Sequence, residues 1–292
     1  MHKSLSEFIS PIKENKSNIM DSIDPTLIEN WRKEQNENRE KLKHYDTEPW
    51  QKHHRMATEL RESDISNNNE LRYVAGLDIS FVKDKDTACV GIFVFDLADN
   101  FKCVYKDLKI VTMNQPYVPG FLAYREAPFL LERLDRLKRL KPKYYPHCIF
   151  IDGNGLLHGN KFGLACHVGY YSDTPTIGVS KQLFQVFGLE KNQKHKDRIK
   201  NELKKAGDFF ELRSKIEGDD TLLGYCYRST DLATNPIYVS IGNKISWDTC
   251  LWILRIVIKN CRIPEPIRQA DLGTRKFLAN LNKNKNNETD DL

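Results

Sequence analysis

Three acidic side chains stand where burial or turn geometry would favour other residues, and together they suggest a centre for a hard divalent cation. In Tyr73-Val74-Ala75-Gly76-Leu77-Asp78-Ile79-Ser80-Phe81 the odd positions are apolar and face one layer, so Asp78 shares the opposite face with the small residues Gly76 and Ser80. Small neighbours leave room for something to approach the carboxylate. Glu126 precedes Leu130 by four residues and Leu134 by eight, which puts it on the apolar stripe of a predicted helix. Asp152 ends the apolar run Cys148-Ile149-Phe150-Ile151 and is followed by Gly153-Asn154-Gly155. That is the carboxyl edge of a buried strand, where ligand sites of α/β sheets gather. Taken singly, each acid would serve as well in a salt bridge or a turn cap. Buried carboxylates need compensation, and three of them without Cys/His clusters of zinc-finger spacing favour oxygen-liganded Mg²⁺, with Mn²⁺ as a substitute, and hence phosphoryl chemistry.

Other residues could bind what that centre acts on. Tyr117 lies between Pro116 and Pro119, with Val118 beside it. The two prolines fix the backbone and would hold the ring rigidly, to stack on a base, to wedge into a strand, or to cap a core. Gly153, Asn154, Gly155 and Gly163 allow backbone to come close to a bound base, although glycines at such a corner also simply form turns. Lys181 follows an apolar strand and could meet a phosphate as a point charge or stay solvated. His158 is placed to touch a phosphate or the acidic centre, whereas His167, within the apolar run 164–168, reads as a core histidine.

The elements that must position these groups are legible from periodicity. Three strands are predicted in succession, 71–82, 87–97 and 101–113, separated by Asp/Lys/Asn turns, as an antiparallel meander. A helix over 123–138 follows, then a buried strand at 148–151, another at 177–179, strands at 222–227 and 237–241, and a helix over 246–259. The order predicts an α/β fold with a ribonuclease H-like mixed sheet, meander on one side and helix-separated parallel strands on the other, flanked by helices. Residues 24–281 read as a single catalytic domain, with two helical pieces over 24–64 docked through Trp31, Leu42 and Trp50. Residues 1–23 read as a disordered extension and 282–292 as a disordered tail.

Composition narrows the class. Residues 1–70 hold 11 basic and 14 acidic side chains, and the remainder 34 against 26, so the excess of positive charge lies with the motifs and suits a polyanion. The seven cysteines show no zinc spacing, and their odd number without a secretory segment points to reduced thiols inside a cell, in the cytoplasm or the nucleus. No apolar stretch reaches membrane-spanning length, so no membrane partner is expected.

Four blocks resemble the signatures of the endonuclease V family: 74–81, 116–126, 151–158 and 175–181, within a similarity from Trp31 to Leu281. The resemblance implies a magnesium- or manganese-dependent endonuclease that hydrolyses a phosphodiester one nucleotide 3′ of inosine. By the same resemblance Asp78 and Asp152 match metal-binding aspartates, Glu126 the catalytic glutamate, and Lys181 a phosphate contact. Asp271 matches a late metal-site acid of animal members, which implies a preference for inosine in RNA over DNA; the expected partner is inosine-containing single-stranded RNA, or DNA, bound by a monomer. Two other readings stay open here. One is an inosine-RNA binding protein that does not cut, and the other is a different ribonuclease H-like nuclease.

Overall fold

The computed structural model describes residues 24–52, 70–83 and 85–289, with side chains to Leu281. The expected extension 1–23, the end of the second helical piece and residues 290–292 lie outside the described residues. Helix α1 spans Pro25–Arg39, with Pro25 in its first turn and Asp24 as the cap, whose carboxylate accepts from Thr26 N–H. No α-helix follows over 40–52. That stretch is a loop ending in a 3₁₀ turn, Pro49–Lys52, because its polar groups bond elsewhere: Asp46 accepts from Ser246 N and Oγ and from Thr249 Oγ1, and Asn243 accepts from Lys43 N. Trp50 still docks as expected, fully buried.

Strands β1 (Tyr73–Phe81), β2 (Thr87–Asp96) and β3 (Lys102–Thr112) form the expected meander. Helix α2 (Leu122–Leu140), β4 (Cys148–Asp152), α3 (Leu164–Ser172) and β5 (Thr176–Ser180) come next. After them lie α4 (Gln193–Glu202), β6 (Phe209–Arg213), β7 (Leu222–Tyr227), β8 (Ile237–Asn243), α5 (Trp247–Val257) and α6 (Glu265–Thr289). The strands make one eight-stranded sheet in the order β3-β2-β1-β4-β5-β8-β7-β6. Only β1, β4 and β5 are mutually parallel neighbours, and β8, β7 and β6 extend the sheet antiparallel. Residues 282–289 continue α6 as helical backbone where a disordered tail is expected. The Asn/Lys run has no Pro or Gly to stop a helix once started.

Alternation sorts the two faces of the sheet. Ala75, Leu77, Ile149 and Ile151 pack against Leu130, Leu134 and Leu137 of α2. Val74, Phe150, Ile177 and Val239 pack on the other side against Ile253 and Leu254 of α5 and Ile267 and Ala270 of α6. The small residue at 76 admits the protein's own helix: a Cβ on Gly76 would lie 2.0 Å from the Pro266 carbonyl oxygen. Gly76→Ala is therefore expected to lift α6 from β1 and cost at least about 1–3 kcal/mol, the range for overpacking. A denaturant midpoint equal to the native one would contradict this.

Candidate active site

Pairing of β1 with β4 sets Leu77 beside Ile151, so the next residues, Asp78 within β1 and Asp152 at the end of β4, stand side by side where the parallel pairing stops. Strand β5 pairs Val179 with Asp152 and ends at Ser180, which brings Lys181 to the same edge. Its Nζ donates to Asp152 Oδ2 at 2.7 Å. Glu126 comes from α2, on the other side of the sheet from α6. Asp78, Glu126 and Asp152 nevertheless line one cavity of about 210 Å³, walled by Leu77, Ile79 and Ile151.

Apolar walls and shared charge make ionisation costly there. Burial pushes the Asp78 carboxyl up to about 6; hydrogen bonds from Thr274 and Ser80 oppose the shift, and the charges of Asp152 and Asp271 add to it. Thr274 Oγ1 donates to Asp78 Oδ2 at 2.7 Å, and Ser80 Oγ lies 2.8 Å from that hydroxyl. Glu126 is pushed up to about 7, first by burial and then by the charge of Asp78, against a weaker pull from Arg125. Among the described residues its carboxylate has no hydrogen-bond or ion-pair partner. Asp271 lies on α6 outside the cavity lining and accepts from Arg275 Nε at 2.7 Å.

As the side chains stand, no group of three or more His, Cys, Asp or Glu among the described residues is drawn together closely enough to hold an ion. The donor chemistry fits a hard cation all the same. Magnesium keeps much of its water and is commonly held by one or two carboxylates together with substrate phosphate, so a closed protein cage is not required. Asp78, Glu126 and Asp152 could serve in that way.

The Tyr117 loop is braced from three sides. Arg125 donates from Nη1 to the Gln115 carbonyl at 2.5 Å and from Nη2 to Asp86 at 2.9 Å, while Gln35 Nε2 donates to the Gly120 carbonyl at 3.3 Å. The Tyr117 side chain is 42 % exposed. Val118 points the other way: it is 2 % exposed and packs with Trp31 and Phe121, so it anchors the loop and its side chain is not offered to a substrate. Gln35 itself has no exposed surface and also bonds the Phe162 carbonyl and Asn160, tying this loop to the glycine loop. It follows Trp31 by four residues on the same helix face, the one signal by which it could have been picked out.

The glycines of 153–163 serve a different purpose from the one expected. A Cβ on Gly155 would lie 2.1 Å from the Ile241 carbonyl, and one on Gly163 2.3 Å from the Asn154 carbonyl. Their N–H groups are taken up internally: Gly153 bonds Val179, Gly155 bonds Ser240 Oγ, and Gly163 bonds Gly155. Gly155 and Gly163 fit backbone to backbone, and the N–H groups of all three glycines are engaged within the chain. Asn154 is different, because its Oδ1 is buried without a hydrogen-bond partner among the described residues. His158 stacks on Phe184 with ring centroids 5.5 Å apart and accepts from Asn160 N, and burial lowers its pKa to about 4, so the ring is neutral at pH 7 and turned to packing. His167 is a core residue as expected, edge-on to Tyr124, although its Nδ1 has no hydrogen-bond partner among the described residues.

Comparison with known proteins gives the arrangement its context. The sequence profile described as Endonuclease V matches residues 54–272. Mouse Endonuclease V is 41 % identical over 251 residues, covering 85 % of this chain and 68 % of the mouse protein. The human protein is 39 % identical over 251 residues, covering 85 % and 82 %. The crystal structure of the catalytic domain of human Endonuclease V matches with a TM-score of 0.79 at 35 % identity, over 88 % of this chain and 97 % of that one. Endonuclease V of Ciona intestinalis, crystallised in complex with a 24mer DNA containing an inosine followed by a ribo-adenosine, matches with a TM-score of 0.73 at 29 % identity, over 88 % and 99 %. A mixed sheet of this order, with acids gathered at the carboxyl edge of its parallel strands, is a ribonuclease H-like fold. The chain belongs to the endonuclease V family, and is thereby placed among the endonucleases.

Proposed function

We infer that the chain is a metal-dependent endonuclease that hydrolyses a phosphodiester one nucleotide 3′ of inosine, preferentially in single-stranded RNA. The reading rests on the convergence of Asp78, Glu126 and Asp152 on one cavity beside Lys181, in a fold whose Ciona relative was crystallised with inosine-containing DNA. Magnesium, or manganese in its place, would be held by Asp78, Glu126 and Asp152 with Asp271 near by, and when bound would lower the pKa of a water and offset charge on the leaving oxygen. Glu126, the carboxylate without a partner among the described residues, is placed to take a proton at the scissile bond. Lys181 supplies a point charge for the phosphate. Asn154 Oδ1 offers an acceptor to the base, and Tyr117 a ring to stack on it.

Cleavage assays on matched single-stranded RNA and DNA oligonucleotides, each with and without inosine and with and without Mg²⁺, test this reading. Cutting that ignores inosine, or that is undiminished without a divalent ion, would overturn it. RNA preference follows from the resemblance at Asp271, and faster cutting of the DNA would remove that part alone. Tyr117→Ala should weaken inosine-RNA binding by about 1–3 kcal/mol, the range for one stacked base, with Tyr117→Phe losing less. Native binding in Tyr117→Ala would show the ring to be ordinary packing. All seven cysteines are free, five of them buried, and no helix among the described residues is long and apolar enough to cross a membrane. The free thiols suit an intracellular site of action, and we propose that the protein works there as a monomer.

A further inference from the structure

Strands β5 and β7 both pair antiparallel with β8, so they run parallel to each other and end at the same edge of the sheet. Ser180 and Cys226 share Tyr238 as partner, and Tyr227 pairs with Ile237, which sets Tyr227 level with Lys181 two strands away. Two inter-strand spacings amount to about 10 Å. Arg262 fastens the two places together: its Nη2 donates at 2.6 Å both to the Lys181 carbonyl and to that of Pro236, in the loop that leads from β7 into β8.

An open cavity of about 670 Å³ lies at the end of β7, between the loop before β6 and the end of α5. Lys205, Arg255 and Lys259 line it, and among the described residues none of them forms an ion pair. Two acids also line it, but both are engaged by backbone: Asp208 accepts from Lys204 N and Lys205 N, and Asp231 from Ala206 N. Ser229 adds a hydrogen-bonding group, 4 % exposed, whose hydroxyl has no hydrogen-bond partner among the described residues. Leu232, 88 % exposed, adds an apolar surface at the same cavity. Three cations against two backbone-held acids leave a positive excess, and with a buried hydroxyl unpartnered among the described residues and an exposed apolar side chain they make up the chemistry that receives a nucleotide: phosphate on the charges, base against the hydrocarbon.

We propose that this cavity is a second subsite for the nucleic-acid strand, holding a phosphodiester a few nucleotides from the scissile bond, so that the substrate runs along the sheet edge from Lys181 past β8 to Lys205 and Lys259. The proposal rests on the reading that the chain cuts a single strand at Lys181.

The test compares wild type with Lys205→Glu/Lys259→Glu, both exposed positions, on two inosine-containing single-stranded RNAs. One ends just beyond the scissile bond on both sides, and the other is extended on both. Wild type should favour the long strand through KM. The double variant should lose about tenfold in KM for the long strand, with kcat and the short strand unchanged. Its salt slope for binding the long strand should fall by about 1.4, two contacts at the single-strand value. Arg255→Glu should add to the loss. A long-over-short preference and a salt slope equal to wild type in the double variant would overturn the subsite. If wild type cuts neither strand, the cleavage reading fails on its own, and fluorescence-anisotropy binding of the same two strands still decides the subsite by the same comparison.

Discussion

Glu126→Gln is expected to slow cleavage by orders of magnitude while making the metal-free protein more stable at alkaline pH. The Glu126 carboxyl sits near 7 in the folded chain against 4.5 for the unpaired group. The folded state therefore holds this proton more tightly than the unfolded state, and stability falls as pH rises from about 4.5 through about 7. Above that window the deficit is complete. A shift of this size corresponds to roughly 3 kcal/mol at most, and partial exposure of the side chain reduces it to about 2. The amide cannot ionise, so Glu126→Gln should gain about that much at pH 8 and no more than a few tenths near pH 4.5. Thermal unfolding in a chelator at the two pH values measures the difference, and an equal gain at both would assign it to packing. Cleavage should fall by about 10²–10⁴, the contribution of a positioned acid or base, and native turnover in the amide would remove Glu126 from the chemistry.

Asp78→Ala should lower cleavage by at least about a thousandfold and leave binding of inosine RNA within about threefold of wild type, the pattern of a group that acts only in the transition state. Asp78→Asn keeps the shape of the side chain and separates loss of charge from loss of packing. Thr274 and Ser80 lie on the oxygen this change alters, so the amide should bind less divalent ion without unfolding. The readout apart from activity is the rise in unfolding temperature when Mg²⁺ is added, which follows from an ion that binds only the folded state. Wild type should show that rise and Asp78→Asn should not. A rise of equal size in both, or retained turnover in Asp78→Ala with Mg²⁺, would exclude Asp78 as a ligand.

The parts of the fold that could be read from sequence are those fixed by local pattern. Alternation along β1 separates Asp78 from Leu77, the stripe of α2 carries Glu126 inward, and the glycine after Asp152 marks the end of β4. Each depends only on residues within a few positions. Pairing between distant segments left no such trace. Nothing in 237–243 says that β8 meets β5 antiparallel, and β6 is a five-residue edge strand with a Glu and an Arg, too short and polar to alternate clearly. The loop over 40–52 misled because its polar residues resemble a helix surface, whereas they answer to partners two hundred positions away. The glycines misled for a related reason. A missing side chain announces a close approach, and only the fold reveals that what approaches is the neighbouring backbone.

The bonds made by Asp46 bear on where this protein can be cut. Sequence similarity to the family profile begins at residue 54, and a laboratory seeking the smallest working fragment would be drawn to start there. Asp46 holds the first turn of α5 from outside that boundary, and Trp31 stacks on Tyr124 with ring centroids 4.8 Å apart. A fragment trimmed to the profile would bare the aromatic floor beneath the Tyr117 loop and leave the opening turn of α5 short of hydrogen bonds. The practical limit for expression lies ahead of α1, some thirty residues earlier than the profile match alone would place it.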